Sequence, residues 1–235
     1  MSTAIIVSGV FRHFDIAVNS WKFAAADYYL TTQTRTQKAR SAAPDNNILT
    51  NIDQHRHKFK SILIKEPTSN INTVNMAAKW LASYNLLKDQ QYSKYIILRP
   101  DLYIFHYDWS MINNIEPQYN TMYNISNIVD DSLGQPFIND MCFILDPEAW
   151  TKIGNFYNYY YPIRNTKNVH IHLYDYIKQH KINVNAEVLA LGQFTPVRDN
   201  MIDMFDDNYN LLVDKYSVND VITKANEWQN QQIES

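Results

Sequence analysis

The run YIILRPDLYI, residues 95–104, decides how this chain is read. Its first half is apolar and β-branched, the composition of a strand buried on both faces. It then breaks on Arg99, Pro100 and Asp101, two opposite charges around a residue that has no amide hydrogen. Charges at the end of a buried strand are costly unless they are partnered. The break is therefore either a structural ion pair or the wall of a ligand site.

Working outward, TVNMAAKWLASYNLLKDQ (73–90) places Val74, Ala77, Ala78, Leu81, Tyr84 and Leu87 on one face at helical spacing. KSILIKE (60–66) before it reads as a strand, so the local order is strand, helix, strand. AIIVSGVF (4–11) reads as a buried strand running into a loop, DIAVNSWKFAA (15–25) as a short helix with Asp15 as its cap, and DYYLTTQT (27–34) as a second strand. Downstream, PFINDMCFIL (136–145) reads as a strand and DPEAW as a helix start with Pro147 in its first turn. VHIHLYDYIKQH (169–180) reads as a helix, VNAEVLALGQF (184–194) as a late strand, and SVNDVITKANEWQ (217–229) as a terminal helix capped by Ser217. The tyrosine-rich YNYYYP (157–162) reads as a packed surface loop. Strands alternating with helices predict an α/β fold with a mostly parallel sheet flanked by helices. With no internal repeat and no clear linker, residues 1–235 read as a single domain.

Hydrophobic residues make up 46% of the chain and charged residues 19%, which excludes a disordered protein and supplies a sizeable core. The lone cysteine, Cys142, excludes an internal disulfide framework and suggests a reducing compartment. No signal-peptide pattern precedes IIVSGVF, and no apolar run approaches the roughly 20 residues that cross a bilayer. The expectation is a cytoplasmic protein. Seventeen tyrosines, abundant asparagine and only four glycines hint at an AT-rich source, such as a phage.

Net charge is −3, which favours no polyanionic partner, but the charge is unevenly spread. An excursion at about 34–60 with little apolar periodicity carries Arg35, Lys38, Arg40, Arg56, Lys58 and Lys60 against Asp45 and Asp53. Such a segment is either a solvated charged loop or a local attractor of phosphates.

Four segments in this order, IIVSGVFRHF with the Ser20-Trp21 pair after it, DYYLTT, ILRPDLYI and FINDMCFILDPEAW, resemble the GT-A-type glycosyltransferases related to the WavE-like lipopolysaccharide-synthesis group and its phage and viral relatives. The likeness spans roughly residues 4–200. It implies a Rossmann-like sheet that binds a nucleotide diphosphate sugar, a UDP-sugar by preference, at the carboxyl ends of its strands. In this family an acidic motif holds a divalent metal on the diphosphate. ILRPDLY looks like that motif with Arg99 in place of the first acid and Asp101 kept as the second. Arg99 supplies no oxygen ligand, yet its planar fork of donors suits a diphosphate directly. Asp101 is thus expected either to bind Mn or Mg or to meet sugar hydroxyls with no metal.

By the same resemblance Ser8, Gly9 and Arg12 belong to the first-strand loop that receives the nucleotide, Gly9 allowing close approach of the backbone. Thr31 or Thr32 would meet the base or ribose, and Arg198 in TPVRDN (195–200) would offset leaving-group charge. Asp140 is the expected base that takes the acceptor's proton, with Arg99 assisting at the departing diphosphate. His170, His172 and His180 lack a completing ligand set and read as ordinary helix histidines. The acceptor expected from the basic excursion and the AT-rich composition is 5-hydroxymethylcytosine in double-stranded phage DNA, by glucosyl or arabinosyl transfer. A surface polysaccharide or lipopolysaccharide glycan is the alternative, and a non-catalytic nucleotide-sugar-binding protein is another.

Overall fold

Alternation along the first strand builds both faces of the molecule. In β1 (Thr3–Ser8), Ala4 and Ile6 enter one apolar cluster while Ile5 and Val7 enter a second, as the period of two requires. The computed structural model describes residues 2–35, 45–69, 71–106, 109–124, 129–130, 136–185, 193–208 and 210–234. After β1 come α1 (Phe14–Asn19), β2 (Asp27–Thr32), α2 (Asn46–His55), a short 3-10 turn over Arg56–Lys58, β3 (Ser61–Ile64), α3 (Asn72–Leu87) and β4 (Lys94–Leu98). Next are β5 (Leu102–His106), α4 (Trp109–Asn114), β6 (Thr121–Asn124), β7 (Val129–Asp130), β8 (Pro136–Phe137) and β9 (Cys142–Leu145). The chain continues through α5 (Pro147–Gly154), α6 (Phe156–Ile163), α7 (Val169–Gln179), β10 (Asn183–Asn185), β11 (Gln193–Pro196), a 3-10 segment at Asp199–Met204, and α8 (Val218–Glu234).

Seven strands form one sheet in the order β10-β6-β9-β4-β1-β2-β3, in which β9 alone runs against its neighbours. The expected mostly parallel α/β architecture is therefore present. One face packs beneath α3, α5, α6 and α7 around Trp80, Phe143, Trp150 and Phe156, and the other beneath α1, α2 and α4 around Phe11, Phe14, Ile48 and Ile112. Large buried side chains of this kind each contribute about 1.5–3 kcal/mol relative to exposure. A third cluster, with Val197, Met201 and Val221, seats α8.

The break at Arg99–Asp101 is present: β4 stops before it, Pro100 cannot continue the ladder, and β5 beyond it leaves the sheet to pair antiparallel with β11. Other expectations are revised. Residues 136–145 are likewise split, with Ile138–Met141 between β8 and β9. Of the late strand expected at 184–194, residues 186–192 lie outside the described residues; Asn183–Asn185 form β10 and Gln193–Pro196 form β11, which belong to different sheets. The excursion contains α2, whose Ile48 and Ile52 are buried and whose Asp45 caps the Asn47 amide at 2.9 Å. The tyrosine run is helix α6, not a loop, because Tyr160 stacks on Phe156 in the core. His13, at a φ of 52°, occupies the cap position of α1, and Asp15 lies in its first turn. At α8 the expected cap is present, with Ser217 and Asp220 exchanging bonds as a capping box.

Candidate functional site

The carboxyl edge of β1 and β4 is where the chemistry-bearing residues meet. β1 ends at Ser8 and turns at Gly9; β4 ends at Leu98 and turns through Arg99, Pro100 and Asp101. Because β9 is antiparallel to β4 with Cys142 opposite Leu98, the loop that opens β9 lands at the same edge. The Arg99 amide donates to the Met141 carbonyl at 3.1 Å, so Asp140 is fixed beside the turn. Asn139 shapes that loop by accepting from the Met141 amide at 3.0 Å. α3 brings its first two turns to the same place and α7 brings His170.

A cavity of about 280 Å³ lies between these elements. Ser8, Gly9, Arg12, Arg99, Asp101 and Asp140, six residues singled out from the sequence, all line it, together with Lys79 and His170. Thr32 does not: it is fully buried and its hydroxyl donates to the Gln33 carbonyl at 3.4 Å. Thr31 is also buried and accepts from Ser83 at 2.7 Å. Arg198 stands behind the lining, with Nη1 3.5 Å from Asp101 Oδ2.

Asp101 is the electrostatic hub. Arg99 grips it with Nε on Oδ1 and Nη2 on Oδ2, both at 2.9 Å. Burial pushes this carboxyl up, but Arg99 first, then Arg198 and Arg12, bring it below the usual carboxylate range. Burial likewise opposes the charge of Arg99, and Asp101 and Asp140 more than restore it. The pair is therefore ionised throughout the ordinary pH range. The Arg99–Asp101 ion pair is thus both a structural bridge and part of the cavity wall.

A divalent metal, one of the two alternatives for Asp101, does not fit the residues present. Both oxygens of Asp101 are taken by a guanidinium fork, and Arg99 brings cationic charge where an oxygen ligand would be needed. Among the described residues no cluster of three or more His, Cys, Asp or Glu side chains is placed to hold a metal ion.

Gly9 lines the cavity and also has a packing task. A Cβ there would lie 2.7 Å from Pro100 Cδ, so its missing side chain lets β1 and the Arg99–Asp101 turn come together. The histidines also divide. His170 lines the cavity, with Nδ1 3.0 Å from the Ile138 carbonyl, whereas buried His172 faces Thr166 and Tyr160.

Among the described residues the basic side chains of the excursion do not gather on one surface. Arg35 pairs with Glu66 at 3.3 Å, Arg56 with Asp53 at 3.4 Å, and Lys60 with Asp27 at 2.8 Å. Lys60 sits beside the first residue of β2 and Arg35 lies beyond its last, Thr32, so they stand at opposite ends of a strand roughly 17 Å long. Lys58 is exposed, and Lys38 and Arg40 lie outside the described residues.

Lys79 is the charged lining residue that the sequence reading missed, along with the uncharged Val10, Asn72, Thr73 and Met76. It lies on α3 between Ala78 and Trp80, and both of those are buried. A lone lysine flanked by Ala77, Ala78, Trp80 and Leu81 in an otherwise uncharged helix was the available signal.

No protein-family model matches this sequence, and no curated protein matches it. Among solved structures, the glycosyltransferase GlyE of Streptococcus pneumoniae TIGR4 is similar with a TM-score of 0.50 at 11% identity, over 79% of this chain and 44% of that one. This chain thus spans less than half of GlyE. The galactosyltransferase LgtC, solved with donor and acceptor sugar analogs, has a TM-score of 0.47 at 9% identity over 78% of this chain and 72% of that one. A glycosyltransferase involved in glycosylation of the major capsid of PBCV-1 has 0.45 at 10% over 80% and 82%. The GlyE likeness is one of fold, and it agrees with a GT-A-like α/β sheet.

Proposed function

We propose that this protein is a glycosyltransferase that moves a sugar from a nucleotide diphosphate sugar, a UDP-sugar first among them, to an acceptor hydroxyl. The observation that carries this reading is the meeting of Ser8, Arg12, Arg99, Asp101 and Asp140 around one cavity at the carboxyl edge of a mostly parallel sheet. Ligands bind at that edge in open α/β sheets. In the proposed reaction Asp140 takes the acceptor's hydroxyl proton while its oxygen bonds to the anomeric carbon. The bond from that carbon to the diphosphate breaks, and the electron pair leaves on the diphosphate. Arg99, whose Nη1 remains after Asp101 engages Nε and Nη2, and Arg12 meet the charge that develops there.

For the acceptor we favour a glycan hydroxyl over hydroxymethylcytosine in DNA. A DNA backbone is held by several uncommitted cations acting together. Three of the six candidates here face carboxylates, and Arg35 and Lys60 stand at opposite ends of β2. The test is nucleotide release from a panel of nucleotide sugars with oligosaccharide acceptors, hydroxymethylcytosine DNA and unmodified DNA, each with and without manganese. Release that needs a glycan and is lost in Asp140→Ala supports the reading. Release only with modified DNA overturns the acceptor assignment, and no donor binding at all overturns the transferase.

A further inference from the structure

Lys79 occupies a position that folding alone does not explain. α3 turns Asn72, Thr73, Met76 and Lys79 toward the cavity, and one turn further on Ser83 is tied to the Thr31 hydroxyl. Lys79 is 4% exposed, and its Nζ has one recorded partner among the described residues, Gln33 Oε1 at 3.0 Å. An ammonium carries three donors and a full charge, and a single neutral amide answers little of either. In the same wall the buried Ser8 hydroxyl has no hydrogen-bond partner among the described residues.

The charges that face Lys79 around the cavity are Arg12 and Arg99 against Asp101 and Asp140, with His170 as the titratable imidazole. Asp101 is already engaged by Arg99 and Arg198. Lys79 itself has no carboxylate partner among the described residues, so the negative charge that would hold its proton is missing. A diphosphate would supply that charge and acceptors for the spare donors.

Resting on the nucleotide-sugar reading above, we propose that Lys79 is the counter-ion of the donor's diphosphate, standing in for a divalent cation, so that donor binding takes up a proton. Burial lowers Lys79 to about 7, so much of the empty enzyme lacks this proton at neutral pH and above. An anion seated on it restores the proton. Above about pH 7 affinity then falls by up to about tenfold per pH unit, and below that it levels off. The phosphates of a nucleotide sugar stay ionised across this range and its base stays neutral over the lower part of it, so the slope there belongs to the protein.

The experiment is calorimetric titration of the full chain with UDP-glucose, UDP-galactose and GDP-mannose in EDTA, from about pH 6 to about pH 9, in buffers of differing ionisation heat. Expected are binding without metal and uptake of close to one proton at about pH 8 in the wild-type protein, a count that needs no variant. Lys79→Arg keeps binding but flattens the slope, Lys79→Met weakens binding by about 10- to 100-fold, and His170→Asn keeps the slope. Binding that requires manganese, a proton count near zero, or a slope abolished by His170→Asn overturns the assignment to Lys79 and leaves the transferase standing. Failure of all three sugars to bind brings down both.

Discussion

Lys94 and Lys79 are both buried lysines, each 4% exposed, and they are treated in opposite ways. Lys94 starts β4 at the amino edge of the sheet, and its Nζ donates to the carbonyls of Ile112, Asn113 and Ile115 at 2.9–3.2 Å. Those carbonyls close α4 and the turn after it, so the lysine caps the end of a helix. Around it the same edge is self-contained. Tyr92 donates to Asp27 at 2.6 Å, its hydroxyl lies 2.6 Å from that of Tyr29, and Lys60 completes the group on Asp27. Hydrogen bonds from Lys60 and Tyr92 hold the Asp27 carboxyl below its ordinary range. Lys79, beside the carboxyl edge, has one neutral acceptor and a cavity. Of the two lysines, the fold satisfies the one that only holds the amino edge together and leaves the one beside the cavity under-satisfied.

The largest expected effect breaks the charge cluster itself. Asp101→Asn leaves Arg99 and Arg198 partly buried without their carboxylate, a loss of about 3–5 kcal/mol. The urea midpoint reads it, and an unchanged midpoint would mean that the pair contributes nothing to stability. Next comes Lys79→Met, which is expected to raise stability at neutral pH by up to about 4 kcal/mol. Lys79 is held at about 7 in the folded chain against 10.5 ordinarily, so between those values the unfolded chain binds more protons. Stability from this group therefore rises as pH climbs from about 7 towards about 10.5 and is lost as pH falls. Denaturation curves across that window should show the rise in the wild type and lose it in Lys79→Met.

Lys94→Met is expected to move the other way, losing roughly 2–3 kcal/mol as three carbonyls forfeit a charged donor. If both lysine variants shift the melting temperature in the same direction, the contrast between the two edges fails. The smallest effect is Ser8→Ala, within about 0.5 kcal/mol in stability, because the hydroxyl has no partner among the described residues to lose. Its donor affinity should nonetheless fall several-fold, and an unchanged dissociation constant would remove Ser8 from the site.

How much of this was legible follows from length and locality. β1, β2, β3, α3 and β4 carry enough apolar periodicity to be read directly, and the break at Arg99–Asp101 marked the cavity because buried charge is rare. β6 was missed because a four-residue strand such as TMYN carries too little pattern. α6 was missed because Pro162 and Asn158 argue locally for a loop, whereas Phe156 and Tyr160 are recruited into the core by α3 and α7. The role of Gly9 depends on Pro100, ninety-one positions away in sequence, and no local pattern reports that contact. The six basic residues gave a charge count but not their partners: Glu66 and Asp27 are contributed by strands on either side of the excursion.

Cys142 opens β9 in the middle of the sheet, opposite Leu98, and burial pushes its thiol up to about 12. A thiol in that condition reacts with alkylating reagents only when the strands around it part. Since it is the sole cysteine, the chain carries its own single-site clock for opening of the sheet. The rate at which a thiol reagent labels the native protein measures how often the strand behind the Arg99–Asp101 turn comes free, and whether a nucleotide sugar slows it.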